Sequence, residues 1–235
     1  MKRAYVTLAR ALRRLLRALR LLPMLDRWAQ HDRGALWLRS LLSIYDLHEL
    51  LAYDVPWWTF RASEEVEAYL LKHPGSKAFE WGSGASTVWL ARRCSAVISV
   101  EHDPEWAGTV SGLLPDNAEV RVVLPTPRTV ASTVVSEKPG FEAFDFAAYV
   151  DAIDSVPGEF DLIVIDGRAR EACLGKAIER LAPEGLIVFD NVDRQRYLAA
   201  IAGAGEGVSA RTTRGLTPTL PYPTRTALIT RAPIQ

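Results

Sequence analysis

The sequence predicts an α/β fold, a doubly wound and mostly parallel sheet that finishes in an antiparallel strand pair and is preceded by N-terminal helices. Three observations carry this. From residue 61 on, short apolar runs alternate with amphipathic helical segments, as strands do when helices cover both faces of their sheet. The last two strand-like runs, "GVSARTTRG" and "TRTALIT", have no helical segment between them, so they pair antiparallel. The first 60 residues are helical in style until they break at "DVPWWTF", which divides the chain into an arm, 1–60, and a domain, 61–235.

Taken in order, "SEEVEAYLLKH" is an amphipathic helix capped by Ser63 and ended by Pro74-Gly75. Then come "KAFEW" as strand, "ASTVWLARR" as helix, "AVISVEH" as strand, "DPEWAGTVSGLL" as helix and "AEVRVVL" as strand. A Pro/Thr/Ser-rich loop runs from Pro125 to about Gly140, and "FEAFDFAAYVDAID" reads as the next helix. "FDLIVIDG" and "GLIVFDN" are strands, each followed by a helix, "REACLGKAIERL" and "DRQRYLAAIAG". In such sheets ligands bind beyond the carboxyl ends of the strands.

Composition is ordinary for a globular protein, with 49% hydrophobic and 24% charged residues in 235 and a formal charge of zero. A chain this long buries one good-sized core. The charge is uneven. Residues 1–30 hold eight Lys/Arg against the single Asp26, so of 28 basic and 28 acidic residues 20 and 27 belong to the remainder. A basic arm precedes a mildly acidic body, which argues against nucleic-acid binding by that body. Cys94 and Cys173 show no metal-ligand spacing and fit a reducing compartment. Apolar stretches are broken by charge short of the ~20 residues that span a bilayer, and arginines interrupt what would be a secretory signal. The expected location is the cytoplasm.

The arm holds a basic amphipathic helix over about 3–22, stopped by Pro23. Lys2, Arg3, Arg10, Arg13, Arg14, Arg17 and Arg20 fall on one side of a helical wheel, Leu8, Leu12, Leu15, Leu19 and Leu22 on the other. Such a helix lies in the headgroups of an anionic membrane, or it packs its leucines on the protein's own body or on a second subunit. A mitochondrial presequence is a third reading. Beyond it, Trp57 and Trp58 read as packing anchors rather than as a lid over a ligand.

The first strand runs into Glu80-Trp81-Gly82-Ser83-Gly84-Ala85-Ser86-Thr87. Gly82 and Gly84 let the backbone turn and approach a ligand, and Ser86 and Thr87 stand where the next helix begins. The second strand ends at Glu101, where a carboxylate accepts hydrogen bonds from both hydroxyls of a ribose. A dinucleotide-binding loop would have glycine or alanine at Thr87, and Glu80 would repel a pyrophosphate. A cationic adenosyl ligand without phosphate suits that carboxylate better.

In order and spacing, "FEWGSGASTVWLA", "VISVEHDPEW", "FDLIVIDG" and "GLIVFDN" resemble the strand-end motifs of class I S-adenosylmethionine-dependent methyltransferases, over roughly residues 62–235. The resemblance implies a Rossmann-like sheet. It implies that Glu80, Gly82 and Gly84 contact the methionine part of S-adenosylmethionine and that Glu101 holds its ribose. Ser83, Ser86, Thr87, His102 and Asp166 complete the implied cofactor-binding set.

Asp166 and Asp190-Asn191 also resemble the Asp…Asp-Asn set that holds a divalent ion in catechol and caffeoyl-CoA O-methyltransferases. That likeness implies Mg²⁺ or another divalent ion on Asp166, Asp190 and Asn191, acidifying an acceptor hydroxyl. Without a metal, Asp166 and Asp190 are the candidate catalytic residues, as cofactor contact or base. The lysine that serves as base in the catechol enzymes is replaced here by Ala169, and the flanking Arg168 and Arg170 are suited to clamp an anionic substrate. The activity so implied is methylation of oxygen on a small molecule or a glycan- or lipid-linked acceptor. The segment from Pro125 to about Asp154 and that around Trp57 would shape the acceptor pocket. The rival readings are an NAD-type oxidoreductase and a non-catalytic protein that keeps the fold and the ligand.

Overall fold

In the computed structural model, which describes residues 2–43 and 47–232 (for 2–6 and 10, the backbone alone), the valine- and isoleucine-rich runs form the centre of one sheet. The placement expected for the side chains of Lys2, Arg3 and Arg10 lies outside the described residues. Helix α1 spans Lys2–Ala18 and ends in a turn where Arg20 takes φ 56°. Pro23 therefore does not stop this helix. It stands in the first turn of α2 (Leu22–Ala29), where its missing N–H costs nothing. Helix α3 (Arg33–Ser40) is capped by Asp32, whose Oδ1 accepts from Ala35 N at 2.7 Å, and α4 spans Leu47–Tyr53.

Helix α5 (Phe60–Lys72) starts three residues before the expected cap. Thr59 takes that role, accepting from Ala62 N at 3.2 Å, because strand residues already hold it: its hydroxyl lies 2.7 Å from Thr213 Oγ1. Then follow β1 (Lys77–Trp81), α6 (Ala85–Ala91), β2 (Ala96–Glu101), α7 (Pro104–Ser111) and β3 (Ala118–Val122). The segment read as one long helix from Phe141 splits. Phe144–Asp145 becomes β5, paired antiparallel with β4 (Thr126–Pro127), and only Ala147–Asp151 is α-helical, as α8. Pairing with Thr126–Pro127 takes Phe144–Asp145 out of the helix, and Asp145 Oδ1, which accepts from Ala147 N at 2.7 Å, starts α8 just beyond it. Strands β6 (Phe160–Ile165), β7 (Leu181–Asp190), β8 (Val208–Gly215) and β9 (Thr224–Arg231), with α9 (Arg170–Arg180) and α10 (Gln195–Gly203), complete the chain.

Among the described residues, seven strands form one sheet in the order β3-β2-β1-β6-β7-β9-β8. The first five are parallel; β9 pairs antiparallel with β7, and β8 with β9. The chain winds outward from β1 to β3, then returns to the other side of β1 with β6. That reversal opens a crevice at the carboxyl ends of β1 and β6, the place where such sheets bind ligands. Strand periodicity splits the core in two. Phe79, Trp81, Ile163 and Ile165 face α8 and α9, whereas Ala78, Leu162 and Val164 face α5 and α6.

The N-terminal helices dock near this crevice. Trp37 Nε1 donates to Leu220 O at 2.8 Å and Thr219 N donates to Ser40 Oγ at 2.9 Å, so the β8–β9 loop is held by α3. Helix α1 lies against the body through buried Ala9 and an ion pair from Arg13 to Glu49. Of the expected leucine face, Leu8, Leu12, Leu15 and Leu19 stay 44–66% exposed, whereas Leu22, which falls in α2, is buried against the protein itself. Among the described residues, no helix is long and apolar enough to cross a membrane.

Candidate functional site

The β1–α6 turn is built on two glycines that serve different ends. Gly82 has φ 97° and sits so close to the β6 end that a Cβ would lie 2.7 Å from Gly167 Cα. Gly167 is just as constrained, because a Cβ there would run into the Tyr149 hydroxyl. Gly84 is extended, at φ 172°, and a Cβ on it would meet nothing within 4 Å. Its lack of a side chain keeps room in the cavity rather than permitting a turn.

Glu80 shares the sheet face of Ala78 and so points beneath α6, not into the crevice. Its Oε1 accepts from Ser86 Oγ at 2.5 Å, and its Oε2 accepts from Thr87 Oγ1 at 2.5 Å and Ser99 Oγ at 2.9 Å. Burial pushes this carboxyl up to about 7 against the pull of those three hydroxyls. Thr87 in turn accepts from Gly84 N at 2.9 Å. Glu80 and Thr87 therefore fix the turn from behind, while Gly82, Ser83, Gly84 and Ser86 line a cavity of about 350 Å³.

Glu101 forms the far wall of that cavity. Its Oε2 accepts from Ser83 N at 3.1 Å, and its Oε1 from His102 N at 2.7 Å and Asp103 N at 3.1 Å. The His102 ring nitrogen Nδ1 lies 2.5 Å from Oε1. Burial alone would raise this carboxyl, but His102 and the backbone amides outweigh it and hold it below the usual carboxylate range. Its Oε2 also accepts from Ser83 Oγ at 3.2 Å, so Glu101 is a fixed anion, and a ribose hydroxyl would take the place of the mobile Ser83 hydroxyl. Trp106, which donates to Ser83 O at 2.8 Å, lies beside it.

At the ends of β6 and β7 the acids meet a buried cation. Arg170 Nη2 donates to Asp166 Oδ1 and O, both at 2.7 Å, and Nη1 donates to Asp190 O at 2.6 Å. Asp190 Oδ1 accepts from Thr226 Oγ1 at 2.6 Å, and Oδ2 from the Asn191 amide. Burial raises the Asp166 carboxyl, though Arg170 pulls it back. Burial, reinforced by the charge of Asp166, pushes Asp190 up to about 8. This donor set does not fit an open divalent-ion site. Arg170 occupies Asp166 with a fixed positive charge, both Asp190 oxygens are engaged, and no group of three or more His, Cys, Asp or Glu among the described residues could hold a metal. Arg170 is equally unsuited to the substrate clamp expected of it, being spent on Asp166 and three carbonyls.

A second cavity, of about 190 Å³, is lined by Trp57, Asp166, Asp190, Asn191, Thr217 and Leu220. Trp57 and Asp166 line both cavities. The two tryptophans thus part company. Trp58 is fully buried, edge-on to Trp89 with centroids 5.8 Å apart, as a packing anchor should be. Trp57 lines both cavities, although the indole N–H groups of the two tryptophans are alike in being buried without a partner. Trp106, Gly167, Thr217 and Leu220 are lining residues that sequence reasoning did not name, although Trp106 and Gly167 close the quoted runs "VISVEHDPEW" and "FDLIVIDG".

This geometry is that of the class I, Rossmann-like methyltransferase fold. Residues 79–192, from the β1 end to the β7 end, match a family model described as a methyltransferase domain. Among solved structures, the chain is similar to an O-methyltransferase from Bacillus cereus in complex with SAH, with 20% identity, a TM-score of 0.54, and 78% of this chain and 89% of that one covered. It is also similar to the O-methyltransferase TomG from Streptomyces achromogenes, involved in tomaymycin synthesis and in complex with SAM, at 14% identity and a TM-score of 0.55, covering 82% and 89%. Cofactor-bound Rv0187 from MTB is similar at 20% identity and a TM-score of 0.53, covering 80% and 88%. No curated protein matches the sequence.

Proposed function

We propose that the protein transfers the methyl group of S-adenosylmethionine to an oxygen of a small-molecule or glycan- or lipid-linked acceptor, through the domain 61–235 and with the arm 1–60 helping to shape the acceptor side. The observation that carries this reading is that two neighbouring cavities share Trp57 and Asp166 as walls, one lined further by the β1 turn and Glu101, the other by Asp190 and Asn191. Glu101 takes the ribose hydroxyls, with His102 and Trp106 beside the adenosine. Gly82, Ser83, Gly84 and Ser86 take the methionine part, and the buried charge of Glu80 favours its cationic groups from behind. Bound there, S-adenosylmethionine supplies an electrophilic methyl on sulfur.

The chain's own part in the reaction is placement and proton handling. Asp190 is the better base of the acid pair. Its raised pKa gives the carboxylate proton affinity near neutral pH, whereas Asp166 is neutralised by Arg170. Trp57, Leu220 and Thr217 exclude water on the acceptor side. The reading needs no metal step. An NAD-type activity is disfavoured by Glu80 beneath the turn and by Thr87 filling the third-glycine place.

Calorimetry decides between these. S-adenosylmethionine should bind with EDTA present, and NAD should give no heat of binding. Binding of NAD alone would end the proposal, and turnover lost to EDTA and restored by Mg²⁺ would end its metal-free form.

We also propose that the arm contacts an anionic membrane surface. The exposed leucine stripe of α1 continues through Met24 and Trp28, with Arg14, Arg17, Arg20 and Arg27 exposed beside it.

A further inference from the structure

A third cavity, of about 270 Å³, opens where the β6–α9 turn, the β7–α10 turn and the loop around Ser136–Lys138 meet. It shares Gly167 and Arg168 with the cavity walled by Glu101, and Asn191 with the cavity walled by Asp190. Anything bound in it is therefore a neighbour of the place where methyl transfer is proposed.

Its walls are rich in fixed positive charge. Arg168, Arg170, Arg194 and Arg196 all line it, against Glu137 and Glu171. The acids are spoken for. Arg196 pairs with Glu137 and, at 2.6 Å, with Glu171, and Arg170 pairs with Asp166. Arg168 and Arg194 make no ion pair among the described residues. Arg168 stacks over Phe141 at 5.0 Å, and its buried Nε has no hydrogen-bond partner. Arg194 donates to the Tyr197 hydroxyl at 3.3 Å, and so does Arg196 at 3.2 Å, which draws both guanidinium groups to one ring at the cavity wall.

Like charges so gathered repel one another, and a desolvated guanidinium nitrogen without a partner is costly. An anion offsets both. The backbone adds to the attraction: α9 and α10 both begin at this cavity, and neither has a side-chain cap on its first-turn amides.

We propose that this cavity binds a carboxylate or phosphate group carried by the methyl acceptor, held by Arg168 and Arg194. The acceptor is accordingly a hydroxylated acid or phosphate ester, oriented by its anion so that a neighbouring hydroxyl reaches the Asp190 side. In the step that follows, the acceptor oxygen forms a bond to the methyl carbon, the carbon–sulfur bond breaks with its electron pair going to sulfur, and the hydroxyl proton passes to Asp190. Arg168 and Arg194 are positioning residues in this scheme. It rests on the methyltransferase reading.

The test uses the full chain saturated with S-adenosylhomocysteine, titrated calorimetrically with inorganic phosphate and separately with benzoate, each against chloride at equal ionic strength. Saturable binding of one or both is expected, and the stronger of the two names the group. Arg194→Gln should weaken that binding about tenfold while leaving S-adenosylhomocysteine affinity unchanged, since Arg194 does not line the Glu101 cavity. Arg168→Gln should weaken it as much and Arg168→Lys less, a charge dependence that a packing role would not produce. Absence of saturable binding for both anions, or equal binding in wild type, Arg194→Gln and Arg168→Gln, overturns the proposal. If wild type fails to bind S-adenosylhomocysteine, the methyltransferase reading fails, and the same titrations on the ligand-free chain still decide the anion site.

Discussion

In the proposed binding of S-adenosylmethionine, Glu80 would act through a charge that the fold makes costly. Period-2 geometry turns it beneath α6, where three hydroxyls hold it and burial lifts its pKa to about 7. Below that pH the carboxyl is neutral, and above it the carboxyl is charged and favours a cationic ligand. Affinity for S-adenosylmethionine should therefore rise between pH 6 and 8 in calorimetric titrations, and Glu80→Gln should flatten the rise. A wild-type affinity independent of pH over that window would argue against this role. The sequence exposed the acid but not its direction. "FEWGSG" shows a carboxylate ahead of the turn, whereas only pairing with Ser99 and contact with Ser86 and Thr87 reveal that it lies behind it. Gly82 and Gly84 look alike in sequence and differ in the fold. Gly82→Ala should cost about 2 kcal/mol or more in urea unfolding through its positive φ and its clash with Gly167. Gly84→Ala should stay within about 0.5 kcal/mol of wild type yet weaken ligand binding.

At the level of elements, the strands were legible because their apolar runs are short, β-branched and bounded by turn residues, and β1, β2 and β6 fall where "KAFEW", "AVISVE" and "FDLIVI" lie. What was not legible depends on partners far off in sequence. The segment at Phe144–Asp145 has helical periodicity but is claimed by Thr126–Pro127, and Ser63 yields its cap role to Thr59 because β8 and β9 anchor Thr59. Arg170 could not be placed by spacing at all, since Asp166 and the carbonyls it satisfies come from two strand ends. The basic helix presents the same problem in reverse: its leucine stripe is visible in sequence, and only the structure leaves it uncovered. Flotation with vesicles containing anionic lipid should carry the wild type upward, with Leu12→Glu/Leu15→Glu remaining below. Equal flotation of both would remove the membrane proposal, and loss of a solution dimer in the variant would point to a second copy as the partner instead.

For the molecule as a whole, buried acids make stability depend on pH in an uncommon sense. Glu80, at about 7, and Asp190, at about 8, both lie above the unfolded carboxylate range. The folded state thus holds more protons than the unfolded state between pH 5 and 8, and stability falls as pH rises through that window. The acids held below their usual range, Glu101, Asp54 and Asp154, contribute fully above the unfolded carboxylate pKa and are lost only toward lower pH. The ligand-free protein should accordingly show its highest melting temperature near pH 5–6 and a decline toward pH 8, read by calorimetric scanning. A melting temperature that climbs over the same interval would contradict the burial of these two carboxyls.

The central claim is that the crevice between β1 and β6 holds an adenosyl ligand through Glu101. Titrating S-adenosylhomocysteine into wild type and Glu101→Gln tests it most directly, with urea unfolding as the control for folding. The prediction is saturable binding in wild type and affinity weakened about tenfold or more in the variant, the size expected when charge-assisted hydrogen bonds are lost, with the unfolding midpoint little changed. Undiminished binding in a folded Glu101→Gln protein would contradict it.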